Sequence, residues 1–196
     1  MSGPFKVLPM SMAPANTMLM RPTQQLPESV ALRNPAIDVM TDLNRVTAVS
    51  VDPNLTLDKT EDRMRTARVR LLFVLNESSD MLGLVTLNDL KGMRPMRYQQ
   101  EMGVSRSEVL VRDIMTPRDK LEVLSMQEVA EACVGDIIET LKRTGRQHAL
   151  VIARTVDGPA IRGIFSARQI GRQLGVEIDT SGIAYTFTEL AAALIH

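Results

Sequence analysis

The chain has 196 residues, of which 44% are hydrophobic, 23% are charged and 3% are aromatic. Its 23 basic residues balance 23 acidic ones, whereas a protein that binds a nucleic-acid duplex usually carries a strongly basic surface. This composition predicts a soluble globular protein of one or two compact units and argues against a nucleic-acid partner.

The cysteine count and the N-terminus bear on the compartment. The single cysteine, Cys133, cannot form an internal disulfide, which fits a reducing cytoplasm. No apolar run approaches the roughly 20 residues of a membrane helix, and prolines interrupt the apolar N-terminus at Pro4, Pro9 and Pro14. Such a start makes a poor signal peptide. We therefore expect a cytoplasmic protein with no membrane partner.

The first 34 residues form an arm rich in methionine and proline, with no sustained helical or strand period. The arm is too apolar for a free linker, so we expect part of it to lie on the body, with an edge strand near residues 18–20. A disordered leader is the alternative interpretation.

Residues 35–95 predict the order strand, helix, strand, strand, helix. Thr56 is a plausible N-cap because a hydroxyl there can accept from the free N–H groups of the first turn. The predicted elements are a β-branched strand within 46–51, a helix from 57, a buried strand at 71–75, a strand at 82–85 and a short helix at 86–93.

The same order returns in residues 110–175, after a polar and partly helical connector at 96–109. The predicted elements are a strand at 121–124, a helix at 136–143, a buried strand at 149–153, a strand at 161–165 and a helix at 166–174. In the extension 176–196, we expect a strand at 184–187 and a final helix that Thr188 caps.

Two short motifs recur in the same order in both halves. D-V-M-T ends at Thr41 and returns as D-I-M-T ending at Thr116, and G-L-V-T ends at Thr86 and returns as G-I-F-S ending at Ser166. Thr86 follows Thr41 by 45 positions, and Ser166 follows Thr116 by 50. One supersecondary unit is therefore used twice.

These motifs, with the strand–helix–strand–strand–helix order, resemble a tandem pair of cystathionine-β-synthase-type (CBS) domains, the Bateman module. The resemblance covers residues 35–175. It implies an α+β fold in which two β-α-β-β-α repeats pack sheet to sheet with pseudo-twofold symmetry. It also implies paired clefts that hold an adenine nucleotide (AMP, ADP, ATP or S-adenosylmethionine), and association into a homodimer.

The same resemblance implies which residues bind the nucleotide. In the family pattern G-h-x-[ST]-x-x-D, the acid takes the ribose hydroxyls and the hydroxyl residue lies near phosphate, roles that suit a carboxylate and a helix N-terminus. The second copy has Gln169 in place of the acid, so we expect one competent and one weakened cleft. The implied nucleotide-binding residues are Thr47, Ala48, Arg70, Leu71, Gly83, Thr86, Asn88 and Asp89, with Ser166 and Arg168 from the second copy.

Other interpretations of these residues remain open. Thr86 with Asp89 three residues later also matches a capping box, which needs no nucleotide. Arg45, Lys91, Arg94 and Arg118 either neutralise a phosphate or are solvated surface charges.

The sequence predicts no enzyme. His148, His196 and Cys133 make no ligand cluster at zinc spacing, and neither a P-loop nor a G-x-G-x-x-G motif is present. We expect His148 to be a hydrogen-bonded structural histidine. We therefore expect a non-catalytic, ligand-sensing module with no metal or catalytic cofactor, acting on a protein target. The alternative is a dimerising interaction scaffold with degenerate nucleotide sites.

Overall fold

The computed structural model describes residues 8–18 and 22–180. The helices are α1 (Leu57–Ala67), α2 (Leu87–Lys91), α3 (Met93–Met102), α4 (Val111–Ile114), α5 (Met126–Glu131), α6 (Val134–Thr144) and α7 (Ala167–Leu174). The strands are β1 (Thr41–Asp42), β2 (Ser50–Val51), β3 (Leu71–Leu75), β4 (Met81–Thr86), β5 (Thr116–Pro117), β6 (Val123–Ser125), β7 (His148–Thr155) and β8 (Gly158–Ser166). Short 3₁₀ turns lie at Ala36–Val39, Arg106–Glu108 and Arg118–Lys120.

The strands form two four-stranded sheets within the described part of the chain, with the orders β2-β3-β4-β5 and β1-β8-β7-β6. In each sheet a parallel pair adjoins an antiparallel hairpin. A parallel neighbour requires a crossover connection, which α1 supplies in the first repeat and α5 with α6 in the second. The predicted α+β fold of two related repeats is confirmed.

The segments that open the two repeats are exchanged between the sheets. We call residues 36–42 and 111–117 the entering segments. β1 pairs antiparallel with β8 of the second repeat, and β5 pairs antiparallel with β4 of the first. The sequence repeat did not predict this exchange, because a repeat orders the elements along the chain without assigning each to a sheet.

Each entering segment also fills the hydrophobic core of the opposite repeat. Val39 and Met40 are fully buried among core side chains of the second repeat, and Ile114 is buried among those of the first. Burying such a side chain contributes about 1.5–3 kcal/mol. Neither repeat therefore completes its core without the other.

A third apolar cluster lies where the two sheets face each other. Leu71 and Phe73 of β3 point into this cluster, whereas Leu72 and Val74 point into the core of the first repeat. This alternation follows from the strand period of two. Leu150 of β7 belongs to the same cluster, so the sheets pack face to face.

The glycine of each repeated G-h-h-[ST] motif lies where the entering segment of the other repeat comes closest. A Cβ atom on Gly83 would overlap the backbone oxygen of Thr116, and one on Gly163 would overlap the Met40 side chain. The two motifs that recur in the sequence are thus in direct contact in the fold, each with its partner from the other copy.

The arm lies partly on the second repeat. The side-chain amide of Gln24 donates to the Met40 carbonyl oxygen (3.0 Å) and accepts from the Asp42 N–H (2.7 Å). Since β1 is an edge strand of its sheet, this amide satisfies backbone groups that such a strand leaves free.

Two predicted elements fall wholly or partly outside the described residues. Of the predicted strand at 18–20, Met18 alone is described; it is exposed and belongs to no strand. The predicted strand at 184–187 and the helix that Thr188 was expected to cap lie outside the described residues.

Two helices add to the repeated pattern. α3 occupies the start of the connector, which the sequence predicted to be partly helical. α5 lies in the stretch by which the second repeat exceeds the first, and Ser125 caps it by accepting from the Gln127 N–H (3.1 Å). The two halves therefore differ most at α3 and α5.

Candidate functional site

A cavity of about 620 Å³ lies between the two repeats, within the size range of sites that hold small molecules. Leu71 and Thr86 line it from the first repeat, and His148 and Leu150 line it from the second. The remaining walls come from α3, from the segment that runs from Asp113 to Glu122, and from the turn at 145–147 after α6. A molecule in this cavity would contact both repeats.

The first motif forms a reciprocal cap at the start of α2. Asp89 Oδ2 accepts from the Thr86 N–H (2.8 Å) and from the Thr86 hydroxyl (2.7 Å), while Thr86 Oγ1 accepts from the Asp89 N–H (3.3 Å). This is the capping box that the spacing predicted. It places the carboxylate beside the positive end of a short helix.

α3 supplies a cation to the other oxygen of the same carboxylate. Arg94 Nη1 lies 3.1 Å from Asp89 Oδ1, and this nitrogen also donates to the Ile114 carbonyl oxygen (2.9 Å) and to Thr116 Oγ1 (3.0 Å). The Asp89 side chain is 15% exposed and that of Arg94 is 51% exposed. Both oxygens of the carboxylate therefore have partners within the chain.

At the second motif, a neutral side chain contacts the first entering segment. Gln169 Oε1 accepts from the Thr41 hydroxyl (3.3 Å), and Gln169 Nε2 donates to the Val39 carbonyl oxygen (3.3 Å). These two groups of the first entering segment correspond to the two that Arg94 contacts in the second. One amide therefore makes at the second motif the contacts that a guanidinium makes at the first, without any charge.

His148 lines the cavity at the start of β7, at the position that Leu71 holds in the first repeat. Burial, with a smaller contribution from the positive charge of Arg70, lowers the pKa of His148 to about 4, and the charge of Asp89 opposes this shift. The imidazole is therefore neutral at pH 7. Its Nδ1 atom is buried and has no hydrogen-bond partner among the described residues, so the expected hydrogen-bonded histidine is not found.

Two cations on different walls of the cavity are available to an anion. Arg97 of α3 and Lys120 of the Arg118–Lys120 turn line the cavity, and neither has an ion pair or a hydrogen bond within the described ranges. A third cation, Arg146, pairs with Glu122 at 2.7 Å. Unpaired guanidinium and ammonium groups at a concave wall favour an anionic ligand.

Acidic and aromatic groups occupy the α3 side of the cavity. Tyr98 and Glu101 of α3 and Asp113 of α4 line this wall. Burial raises the pKa of the Tyr98 phenol, and a hydrogen bond with Asp113 raises it further. The Asp113 carboxylate also has a partner within the chain, since its Oδ2 atom accepts from the Leu110 N–H (2.8 Å).

The structure brings only part of the predicted nucleotide-binding set to this cavity. Leu71, Thr86 and Asn88 line it. Asp89 lies behind Thr86 and Arg94, and Gly83 lies beneath the second entering segment. The others, which are absent from its lining, are the exposed residues Thr47, Ala48, Arg70 and Arg168 and the half-buried Ser166.

Most of the lining lies outside the predicted set, including Arg97, Tyr98, Lys120 and His148. Arg97 and Tyr98 lie in the stretch 96–109 that the sequence presents as a connector, whereas Lys120 and His148 belong to the second repeat. The cluster of cations at 91–97 is the signal in the sequence, and Arg94, one of the candidate phosphate-neutralising residues, does line the cavity. Lys91, considered with it, pairs with Glu61 at 2.7 Å.

The described residues offer neither a metal-binding cluster nor a helix that could span a membrane. No group of three or more histidine, cysteine, aspartate or glutamate side chains there is placed to hold a metal ion. None of the helices described is both long and apolar enough to cross a bilayer.

Comparisons with known proteins agree with this architecture. Residues 36–93 match the family model for the CBS domain. The structure is similar to that of a conserved protein from Pyrococcus horikoshii (20% identity, TM-score 0.51), over 72% of this chain and 92% of that one. It is also similar to CBSX2 of Arabidopsis thaliana, solved in complex with AMP (21% identity, TM-score 0.50), over 71% of this chain and 94% of that one.

A third similar structure is a CBS-domain-containing protein from Agrobacterium tumefaciens (16% identity, TM-score 0.51), matched over 72% of this chain and 93% of that one. No curated protein matches the sequence significantly. At these identities the likeness concerns the fold.

Proposed function

Because this chain folds as a tandem pair of CBS domains, we propose that it is a non-catalytic sensor that binds an adenine nucleotide between its two repeats. The observation that carries the proposal is the cavity of about 620 Å³ whose walls come from both repeats. The AMP complex of CBSX2, a protein of similar fold, supports this ligand class.

The charges at the cavity suit the phosphate end of a nucleotide. Arg97 and Lys120 are the unpaired cations described above, and charge-assisted hydrogen bonds to phosphate are among the stronger polar contacts. Thr86, at the N-cap of α2, adds a hydroxyl to the lining of the cavity. The apolar side chains Leu71 and Leu150 offer a surface against which a base can pack.

The sugar end of the nucleotide is assigned to Asp89. A carboxylate can accept from both vicinal ribose hydroxyls at once, and Asp89 lies beside two lining residues, Thr86 and Arg94. The second motif offers the neutral amide of Gln169 instead, which is already engaged with Val39 and Thr41. We therefore propose one nucleotide per chain.

Binding between the repeats would make the ligand a signal. A ligand shifts a conformational equilibrium only by its differential affinity for the two states, typically about 1–3 kcal/mol. A nucleotide that contacts both walls favours one relative position of the repeats. We propose that a homodimer in the cytoplasm presents this change to a protein target.

We assign no reaction to the cavity. Its one histidine, His148, is held neutral with a pKa of about 4, and a general base works best with a pKa near the operating pH.

The test is a thermal-shift series with AMP, ADP, ATP and S-adenosylmethionine at millimolar concentrations. We expect at least one nucleotide to raise the unfolding midpoint of the wild type, with a saturable dependence on concentration. Asp89→Asn keeps the size of the side chain but removes its charge, and should abolish most of the rise. Asp157→Asn, in an exposed turn of the second repeat, is the matched control and should keep it.

One observation favours the alternative, a dimerising scaffold with degenerate nucleotide sites. Both oxygens of Asp89 and the amide of Gln169 are satisfied inside the chain, so the fold needs no ligand to complete them. Tight self-association with no midpoint change for any of the four nucleotides would establish the scaffold and end the sensor proposal.

A further inference from the structure

We propose that Arg94 is an autoinhibitory residue: its guanidinium occupies the carboxylate of Asp89, and a ligand must displace it to reach that carboxylate. This inference rests on the proposed function, since it concerns how a ligand enters the same cavity. Arg94 would compete with the ligand for Asp89, and its displacement by a bound ligand would change the contact between the repeats.

The position of Arg94 supports competition. Arg94 lines the cavity, whereas Asp89 does not, and the two are joined at 3.1 Å. Oδ2 of Asp89 is held by the N–H and hydroxyl of Thr86, which belong to the cap of α2. Oδ1 is the oxygen that a ligand can gain without breaking that cap, and Arg94 is the group that covers it.

The exposure of the pair makes displacement feasible. The Arg94 side chain is 51% exposed, so solvent screens the attraction and a released guanidinium can be hydrated again. Asp89 is 15% exposed, and its Oδ2 atom is held by the cap of α2, so its carboxylate would stay beside the helix N-terminus. Arg94 can therefore leave while Asp89 stays in place.

Release of Arg94 would also loosen the contact between the repeats. The nitrogen that faces Asp89 donates to the Ile114 carbonyl oxygen and to the Thr116 hydroxyl in the second entering segment. A ligand that draws Arg94 away weakens these contacts together with the ion pair. Binding of a ligand would therefore weaken the contact between α3 and the second entering segment.

At the second motif, a neutral side chain makes the corresponding contacts with the entering segment. Gln169 contacts the corresponding groups, Val39 and Thr41, directly from the motif itself. The contact made by the motif's own side chain is neutral there, and the nearby ion pair of Arg162 with Asp42 does not involve Gln169. The autoinhibitory contact belongs to the first motif.

The experiment compares Arg94→Met with Arg97→Met, using calorimetric titration of AMP, ADP and ATP into the full chain. Methionine keeps an unbranched apolar stem and removes the charge in both variants. Arg97 lies one turn further along α3, lines the cavity and has no ion pair within the described chain. It is therefore the matched cation that does not compete.

We expect Arg94→Met to bind the nucleotide about two- to fivefold more tightly than the wild type, the range that the loss of an exposed ion pair allows. Arg97→Met should bind it more weakly, because an attractive cation is lost. The midpoint of Arg94→Met without ligand should fall, since its contacts with Ile114 and Thr116 are lost as well. A merely structural Arg94 would lower this midpoint without tightening binding.

The other outcomes are decisive. Equal or weaker binding by Arg94→Met, with a wild type that binds, overturns autoinhibition and leaves the proposed function intact. Binding by Arg94→Met alone supports autoinhibition and shows that the wild type is closed to nucleotide under those conditions. No binding by either protein overturns both the inference and the nucleotide-sensing proposal.

Discussion

At the first motif, Asp89 pairs with Arg94, which hydrogen-bonds to the second entering segment. At the second motif, the neutral amide of Gln169 contacts the first entering segment directly. Both motifs fasten the entering segment of the other half at equivalent backbone and hydroxyl groups. Both motifs have thus kept a contact with an entering segment, but the contact involves an ion pair at the first motif and a neutral amide at the second. A charged or hydroxyl-rich ligand can replace one partner of an ion pair. An amide whose hydrogen bonds are already made gains less by leaving them for a ligand.

The largest expected effect concerns the glycines beneath these contacts. Gly83→Ala forces a Cβ against the backbone oxygen of Thr116, which cannot rotate away, whereas Gly163→Ala meets the flexible side chain of Met40. We expect a loss of about 3 kcal/mol for Gly83→Ala and about 1 kcal/mol for Gly163→Ala. Urea denaturation of both variants measures the difference. Equal losses would show that the two contacts are equally adaptable.

The second expected effect is a pH dependence that only the second repeat carries. The pKa of His148 is lowered to about 4 from 6.5, so between these values the unfolded chain binds a proton that the folded chain does not. Stability must therefore fall as the pH falls through this window. From pH 7 to pH 5 we expect a loss of about 2 kcal/mol, obtained from the two pKa values.

His148→Leu places in the second repeat the residue that Leu71 provides in the first, and should remove this loss. Denaturation at pH 5 and pH 7 tests it. The window lies above the titration of Glu61, whose pKa its hydrogen bond with Lys91 holds below the ordinary 4.5. An unchanged slope in His148→Leu would assign the pH dependence to other groups.

The smallest expected effect concerns the amide itself. Gln169→Glu replaces the Nε2 donor, which bonds to the Val39 carbonyl oxygen, by an oxygen that cannot donate. We expect a loss of about 1 kcal/mol in denaturation at pH 7, and no second nucleotide in a titration. Gln169→Met, neutral and of similar length, should cost less. A second binding event in Gln169→Glu would mean that charge alone distinguishes the two motifs.

Much of the fold could be predicted from the sequence because its signals are local. The capping box at Thr86 and Asp89 depends on a spacing of three residues, and the apolar run of β3 depends on burial of both faces of a strand. Each leaves a pattern that a single segment displays. The tandem repeat likewise appears directly as two motifs in the same order.

The exchange of entering segments and the composition of the cavity could not be predicted in this way. Gly83 and Thr116 are far apart in the sequence, and neither shows that it meets the other. Arg97 and Lys120 look like ordinary surface charges until α3 and the Arg118–Lys120 turn place them on walls of one cavity. Long-range placement, not residue type, decided these features.

The crossing of the entering segments has a consequence for dissection of the molecule. A cut near Gly103, which ends α3, would yield an N-terminal fragment carrying Met40, a core residue of the C-terminal fragment. The C-terminal fragment would in turn retain Ile114, which belongs to the core of its counterpart. Separate expression of the halves should therefore give two poorly folded polypeptides that recover structure when mixed, as in fragment complementation.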